Sequence, residues 1–270
     1  ETGQMTDIYQ TDWSWSPLFA DYDNDGYKDL IVANGYPKDL TDKEWTRYKV
    51  QFYDYLADQQ QVIDRAPALK VPNIAFRNDG KMHFEKKTDW LPDIPSYSYG
   101  ASFVDLDNDG DLDYVTNNID DKAFILKNTT VERSGGKTHF IKVKLKGKPG
   151  NTDGIGAKVE LWCHGKYQFI EHFLTRGYAS SIDPVVHFGI GGDTFADSIR
   201  VTWPAGRRIS LIKNVKAGQT IEINEINSWP APVTKPVPAK NDLLFTKCDN
   251  AIDYFHDQKD FADFYLNQKI

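Results

Sequence analysis

One acidic phrase occurs twice in this chain, and it restricts the fold more than any other feature. The first copy reads Asp21-Tyr22-Asp23-Asn24-Asp25-Gly26-Tyr27-Lys28-Asp29-Leu30. The second reads Asp105-Leu106-Asp107-Asn108-Asp109-Gly110-Asp111-Leu112-Asp113-Tyr114. Carboxylates stand at loop positions one, three, five and nine, with glycine at six. Alternate side chains of a curled loop converge on one point, and Gly26 and Gly110 permit the positive-φ bend that curls it. Oxygen ligands at this density suit a hard cation, calcium best. Position seven, Tyr27 or Asp111, would give its backbone carbonyl. The expectation is two Ca2+ sites: Asp21, Asp23, Asp25, Tyr27 and Asp29 in one, and Asp105, Asp107, Asp109, Asp111 and Asp113 in the other. An EF-hand does not fit, because position twelve is Val32 or Thr116 where that loop needs a bidentate Glu. The residues that follow, Leu30-Ile31-Val32 and Tyr114-Val115-Thr116, favour strands.

The repetition extends upstream of the loops. Ser14, Trp15 and Phe19 match Ser98, Tyr99 and Phe103 at one constant offset. A unit of aromatic strand, acidic loop and apolar strand cannot bury its own face, so such units stack side by side in propellers or solenoids. Asn73 to Phe84 reads as a hairpin turning at Asn78-Asp79-Gly80, and Ala123–Asn128 with Gly136–Phe140 reads as its looser copy. His83 and His139 lie beside these turns with no acid or nucleophile in register and read as structural. Between the repeats, Thr41 and Glu44 fit a capping box. Trp45, Tyr48, Phe52, Tyr55 and Leu56 follow at helical spacing, which predicts a helix from Asp42 to Ile63 inside an insertion over 41–66. Its aromatic stripe reads as core.

From Lys137 the texture changes. Ile141-Lys142-Val143-Lys144-Leu145-Lys146 alternates strictly, as do Ala157–Leu161 and Ser198–Trp203, and two further strands follow by Asn224. Residues 137–227 therefore read as a separate β-sandwich. Gly189-Ile190-Gly191-Gly192 runs into a strand and not a helix, so it reads as a tight turn and not a phosphate loop. His172, Asp183 and Ser180 or Ser181 make a triad on paper only, with no nucleophile-elbow motif behind it. Pro230, Pro232, Pro236 and Pro238 mark a linker over 228–240. The aromatic stretch 241–270 reads as the start of a further, truncated module. The sequence has 270 residues and a net charge of −7, which argues against nucleic acid as a partner. No apolar run is long enough to span a membrane. Cys163 and Cys248 show no metal-ligand spacing, and pairing between them is open. The chain starts and stops mid-phrase, as a fragment of a longer protein would.

These residues carry a resemblance. The acidic loops resemble those of FG-GAP or VCBS repeats, the blades of integrin-α-like β-propellers, whose loops bind calcium at the positions named above. Gly154–Val159, Gly177–Ser181, His187–Gly191 and Asp197–Pro204 resemble the ASPIC/UnbV domain. The fold class implied is mainly β: a partial β-propeller of two blades with a helical insertion over residues 1–136, then an ASPIC/UnbV β-sandwich-like domain. The resemblance implies a non-catalytic, extracellular scaffold that binds a glycan or protein partner at a cell surface. It extends to Bacteroidota surface lipoproteins associated with SusC/SusD-type outer-membrane uptake proteins, which implies those proteins as partners. The alternative is a calcium-dependent polysaccharide lyase of the propeller type. A lyase needs a base and a charge neutraliser, and the sequence offers no pair in those roles.

Overall fold

Alternating apolar residues on either side of each acidic loop become antiparallel strands. The structure, a computed structural model, describes residues 2–52, 63–204 and 208–232. Strands β1 (Ser16–Ala20), β2 (Asp29–Ala33), β3 (Ile74–Asn78) and β4 (Phe84–Lys87) form the first blade in sequence order. Strands β5 (Ser98–Val104), β6 (Asp113–Asn118) and β7 (Phe124–Leu126) form the second. Each acidic loop joins the first two strands of its blade. Leu18, Tyr22 and Ile31 of the first blade pack on Ala101, Leu112 and Tyr114 of the second, a shared core that neither sheet could make alone. The two sheets do not close into a ring.

Two local expectations are corrected. The insertion does hold a helix, Lys43–Phe52, but Asp42 caps it, its Oδ1 accepting from Trp45 N–H at 2.7 Å. Thr41 instead gives its N–H and hydroxyl to Asp39, at 2.9 and 2.6 Å. Aspartate is the stronger N-cap than threonine and wins the position at the helix start. Tyr55, Leu56 and the rest of 53–62 lie outside the described residues. The second blade also lacks the expected hairpin return at Gly136–Phe140. A short helix, Thr130–Ser134, stops at Gly135, and His139 and Phe140 begin the next sheet. The phrase shared with the first blade does not mark the same element, because β8 finds its partners elsewhere.

The sandwich is built from β8 (His139–Lys146), β9 (Lys158–Cys163), β10 (Lys166–Glu171), β11 (Val185–Gly191), β12 (Phe195–Thr202), β13 (Arg208–Lys216), β14 (Gln219–Asn224) and β15 (Trp229–Pro230). One sheet runs β10-β9-β12-β13-β15 and the other β11-β8-β14. Ile141, Val143 and Leu145 face Val159, Leu161, Ile199, Val201 and Trp203 across the core. Trp203 is fully enclosed and its indole N–H reaches Ser210 Oγ at 3.0 Å, which satisfies its one polar atom. Residues 233–270, most of the linker and all of the aromatic tail with Cys248, lie outside the described residues.

Blades and sandwich pack as one compact unit, Glu1–Ala231. At one end, Trp15 stacks on Tyr99 with ring centres 4.3 Å apart, Trp13 stacks on Tyr36 at 4.6 Å, and Tyr178 of the sandwich meets Trp15 edge-on at 5.0 Å. Aromatic residues of both blades and the sandwich therefore cover one another at this end. At the other end, β11 presses on the first acidic loop. A Cβ on Gly189 would stand 2.1 Å from Asp21 Oδ2 and 2.5 Å from Asn24 Cα. The glycines read as a turn are thus a strand end shaped for close approach, with Gly191 N–H donating to Asn24 O at 2.8 Å. Gly189→Ala should lower stability by roughly 1–3 kcal/mol, as overpacking does. Gly192→Ala should be near neutral, since its nearest neighbour would be Lys137 O at 3.8 Å. Urea unfolding of both variants checks this, and equal midpoints would refute the contact.

Candidate metal centre

Four backbone details recur in both loops. Asn24 and Asn108 take left-handed conformations at φ 60° and 61°, and Gly26 and Gly110 follow at φ 96° and 100°. Asparagine is among the few side chains that accept that region readily, which accounts for its place at position four. The carboxylate of position one accepts the N–H of position six: Asp21 from Gly26 at 2.8 Å, Asp105 from Gly110 at 3.1 Å. Position nine accepts two more. Asp29 takes Tyr22 N–H at 3.1 Å and Asn78 N–H at 2.9 Å, and Asp113 takes Leu106 N–H at 2.9 Å and Asn128 N–H at 2.8 Å. The two loops are therefore one structure made twice, each tied to the end of the third strand of its own blade or the residues just after it.

This folding brings positions one, three and nine together. Asp21, Asp23 and Asp29 offer oxygens all within 4.8 Å of one another, and so do Asp105, Asp107 and Asp113. Position five does not complete either trio and in both copies meets a basic side chain. Arg77 bonds Asp23 at 2.5 Å and Asp25 at 2.7 Å. Lys127, at the matching place in the second blade, lies 2.6 Å from Asp107 and 3.3 Å from Asp109. Asp111, expected to serve through its carbonyl, also turns its carboxylate away from the first trio. It accepts Val131 N–H at 2.9 Å and joins Asp109 and Glu132 in a second acidic group. Tyr27 gives its N–H to Asp25 at 2.9 Å, while its ring lies against Gly80.

The electrostatics expose a deficit of positive charge. Burial, then the charges of Asp25, Asp29 and Asp23, raise the Asp21 carboxyl well above its ordinary range. Burial, then Asp23, pushes Asp29 up to about 8 against the pull of two backbone N–H groups. Burial likewise pushes Asp111 up to about 7. Asp107 moves the other way, held down first by its hydrogen bond to Lys127. Asp105 Oδ1 and Asp111 Oδ1 are buried without a hydrogen-bond partner. Clustered oxygens, orphaned acceptors and repelling carboxylates are a donor set that fits a hard divalent cation.

The sandwich closes this region from one side. Lys142, expected to alternate outward, is buried and its Nζ lies 2.6 Å from Asp105 Oδ2. The buried His187 faces Gly110 O at 3.1 Å, and Asn24 Nδ2 donates to the same carbonyl at 3.0 Å. Asn128 Nδ2 donates to Tyr22 O at 2.7 Å. The loops are thus bonded to each other as well as to the sandwich. Sequence reasoning missed Arg77, Lys127, Lys142, His187 and Gly189. The one available signal was a basic residue before asparagine in both Phe76-Arg77-Asn78 and Leu126-Lys127-Asn128. The paper triad is not assembled: His172 is buried with no partner for Nε2, and Ser180 Oγ donates to Tyr178 O at 2.7 Å.

A repeated acidic loop between blade strands, followed by this sandwich, defines a class that comparison with known families also finds. Residues 147–229 match the family described as ASPIC and UnbV, and residues 68–116 match an FG-GAP-like repeat. The chain therefore carries an FG-GAP-like repeat and an ASPIC/UnbV domain. The matched repeat contains the second acidic loop, and the first loop reproduces its hydrogen bonds outside the matched range. Among characterised proteins, the chain is similar to cartilage acidic protein 1. It is 30% identical over 128 residues to the Homo sapiens protein, covering 47% of this chain and 19% of that one. It is 32% identical over 143 residues to the Xenopus tropicalis protein, covering 51% and 21%. The matches thus span far less than the length of these relatives. The repeat and binding-type domains suggest an extracellular, adhesion-like or binding module. No helix among the described residues is long and apolar enough to cross a membrane.

The raised carboxyls set a pH dependence for the protein with no cation bound. A folded-state value above the unfolded one means that the folded state holds extra protons, so stability falls as pH rises toward the folded value. His187, lowered to about 4 by burial, acts oppositely but only below the ordinary histidine range. Between pH 6.5 and 8 the carboxyls of Asp29 and Asp111 govern. Stability of the protein with no cation bound should therefore fall by ~1 kcal/mol per pH unit in that window. Chemical denaturation at three pH values tests this, and a flat or rising stability would refute the deficit of positive charge.

Proposed function

We propose that this chain is a calcium-stabilised, non-catalytic binding module at an extracellular surface. The observation that carries the reading is the repeated convergence of positions one, three and nine into oxygen trios at the seam between blades and sandwich. Asp21, Asp23 and Asp29 would hold one ion, and Asp105, Asp107 and Asp113 the other. Bound calcium supplies the positive charge that Arg77, Lys127 and Lys142 only partly provide. With the loops neutralised, the Asn24 and Asn128 bonds and the Gly189 approach hold blades and sandwich in one fixed arrangement. Fixed geometry suits a scaffold that presents a surface to a glycan or protein partner. The half-exposed ring of Tyr178 beside Trp15 and Tyr99 is the kind of surface that stacks on sugars or anchors a protein contact. SusC/SusD-type outer-membrane proteins are the partners that the resemblance to surface lipoproteins supplies.

Calcium at a hundredfold excess over its Kd should stabilise the chain by roughly 2–3 kcal/mol, read as a higher Tm that a chelator reverses. Because the loops are bonded to each other, Asp23→Ala should remove its own site and also weaken binding at the second. Asp107→Ala should do the reverse. Calorimetric titration of wild type and both variants checks this. A Tm indifferent to calcium, with no heat of binding, would exclude the metal, and independent sites would exclude the coupling.

A further inference from the structure

A second group of metal-ligating side chains lies in the sandwich, apart from the acidic loops. Cys163 ends β9, His164 follows it in the turn to β10, and Asp193 sits in the turn between β11 and β12. Their Sγ, imidazole nitrogen and carboxylate oxygen all lie within 4.8 Å of one another. Cys163 Sγ is 3.3 Å from Asp193 Oδ2, and His164 Nδ1 is 2.7 Å from Asp193 Oδ1. We propose that Cys163, His164 and Asp193 form a binding site for a thiophilic divalent cation of the zinc type.

The local fold places these donors. A two-residue turn joins Cys163 to Lys166, with His164 and Gly165 both left-handed at φ 46° and 79°. Hairpins of this kind need positive φ at both turn residues, and histidine is one of the few side chains that tolerates it. Asp197 fixes the turn from below, its Oδ2 accepting His164 N–H at 2.8 Å. β9 and β12 are neighbours in one sheet, so the two turns are held at the same end of a rigid scaffold.

The chemistry of the donor set separates this site from the acidic loops. Sulfur and imidazole nitrogen favour zinc-like ions, whereas oxygen trios favour calcium. Tetrahedral zinc, with bonds of ~2.3 Å to sulfur and ~2.0 Å to oxygen, sets sulfur and oxygen about 3.5 Å apart. The observed 3.3 Å is close to that spacing. His164 Nδ1 rests on the other carboxylate oxygen, Oδ1, and must part from it by about half an ångström to reach the tetrahedral spacing, a shift that the half-exposed imidazole makes by turning. Cys163 is buried at the floor of the site, Asp193 is half-buried beside it and His164 is exposed, which gives an ion a path in from the His164 side. Binding releases the thiol proton to solvent and moves the imidazole proton to Nε2, leaving sulfur and Nδ1 as ligands. Water completes the fourth position.

Cobalt(II) is the probe, added to the full chain after reduction and metal stripping. A near-ultraviolet thiolate-to-cobalt band and tetrahedral visible bands are expected. Zinc should erase them, and millimolar calcium should not. Cys163→Ser should abolish the thiolate band, Cys248→Ser should leave it intact, and His164→Gln should weaken cobalt binding by about tenfold or more. Should Cys163→Ser fail to fold, His164→Gln and Asp193→Asn carry the test, because both lie in turns and neither side chain is fully buried. Absence of the band in wild type would overturn the site and leave a plain hydrogen-bonded cluster. So would persistence of the band in Cys163→Ser, or cobalt affinity unchanged in both the His164 and the Asp193 variants.

Discussion

Carboxylates repel, and this chain gathers nine of them at the seam where its two blades meet its sandwich. The arrangement holds only because the repulsion is answered from several directions. Backbone N–H groups bind the carboxylates at positions one and nine. Arg77 and Lys127 answer position five, each from the third strand of its own blade or the residue just after it. Lys142 reaches in from the sandwich. The three basic partners come from three different elements, so the charge pattern helps specify how those elements meet. A buried charge left alone is costly, and that cost penalises every arrangement that separates the three parts. The apolar contacts in the seam are less selective, since any greasy surface would satisfy them.

Much of this was legible in the residues. Glycine at six and carboxylates at one, three, five and nine define a curled loop, and β-branched residues after it define strands in place of helices. The strict alternation of Ile141 to Lys146 defines a half-buried strand. What could not be read was pairing between distant segments. Arg77 and Asp23 are far apart in sequence, and nothing in either names the other. Lys142 looks like its neighbours Lys144 and Lys146, yet it alone is drawn inward, because Asp105 waits opposite. Gly189 looks like a turn glycine, and only the approach of Asn24 shows that a side chain there has no room. Asp42 displaced Thr41 as helix cap through a local competition that pattern matching does not weigh.

The same limit applies to the sandwich turns. Cys163 and His164 are adjacent in sequence, but Asp193 reaches them only because β9 and β12 are hydrogen-bonded neighbours. Sequence spacing reveals a metal motif when one short segment supplies most of the ligands. It is silent when a sheet brings two turns together.

The order of the strands also sets an order of assembly. β8 lies between β11 and β14, and its pairing with β14 is parallel, Ile141 beside Gln219 through Lys146 beside Asn224. The middle strand of that sheet is made well before β14, the strand that completes it. Chains are made from the amino terminus, and distant pairings form late. The blades are therefore complete well before Gly189 and His187 arrive to cover their loops. Until then the side of the first acidic loop that β11 covers faces water, where repulsion between its carboxylates is screened. β14 acts as a latch: its arrival seals the small sheet that carries β11 against the first loop.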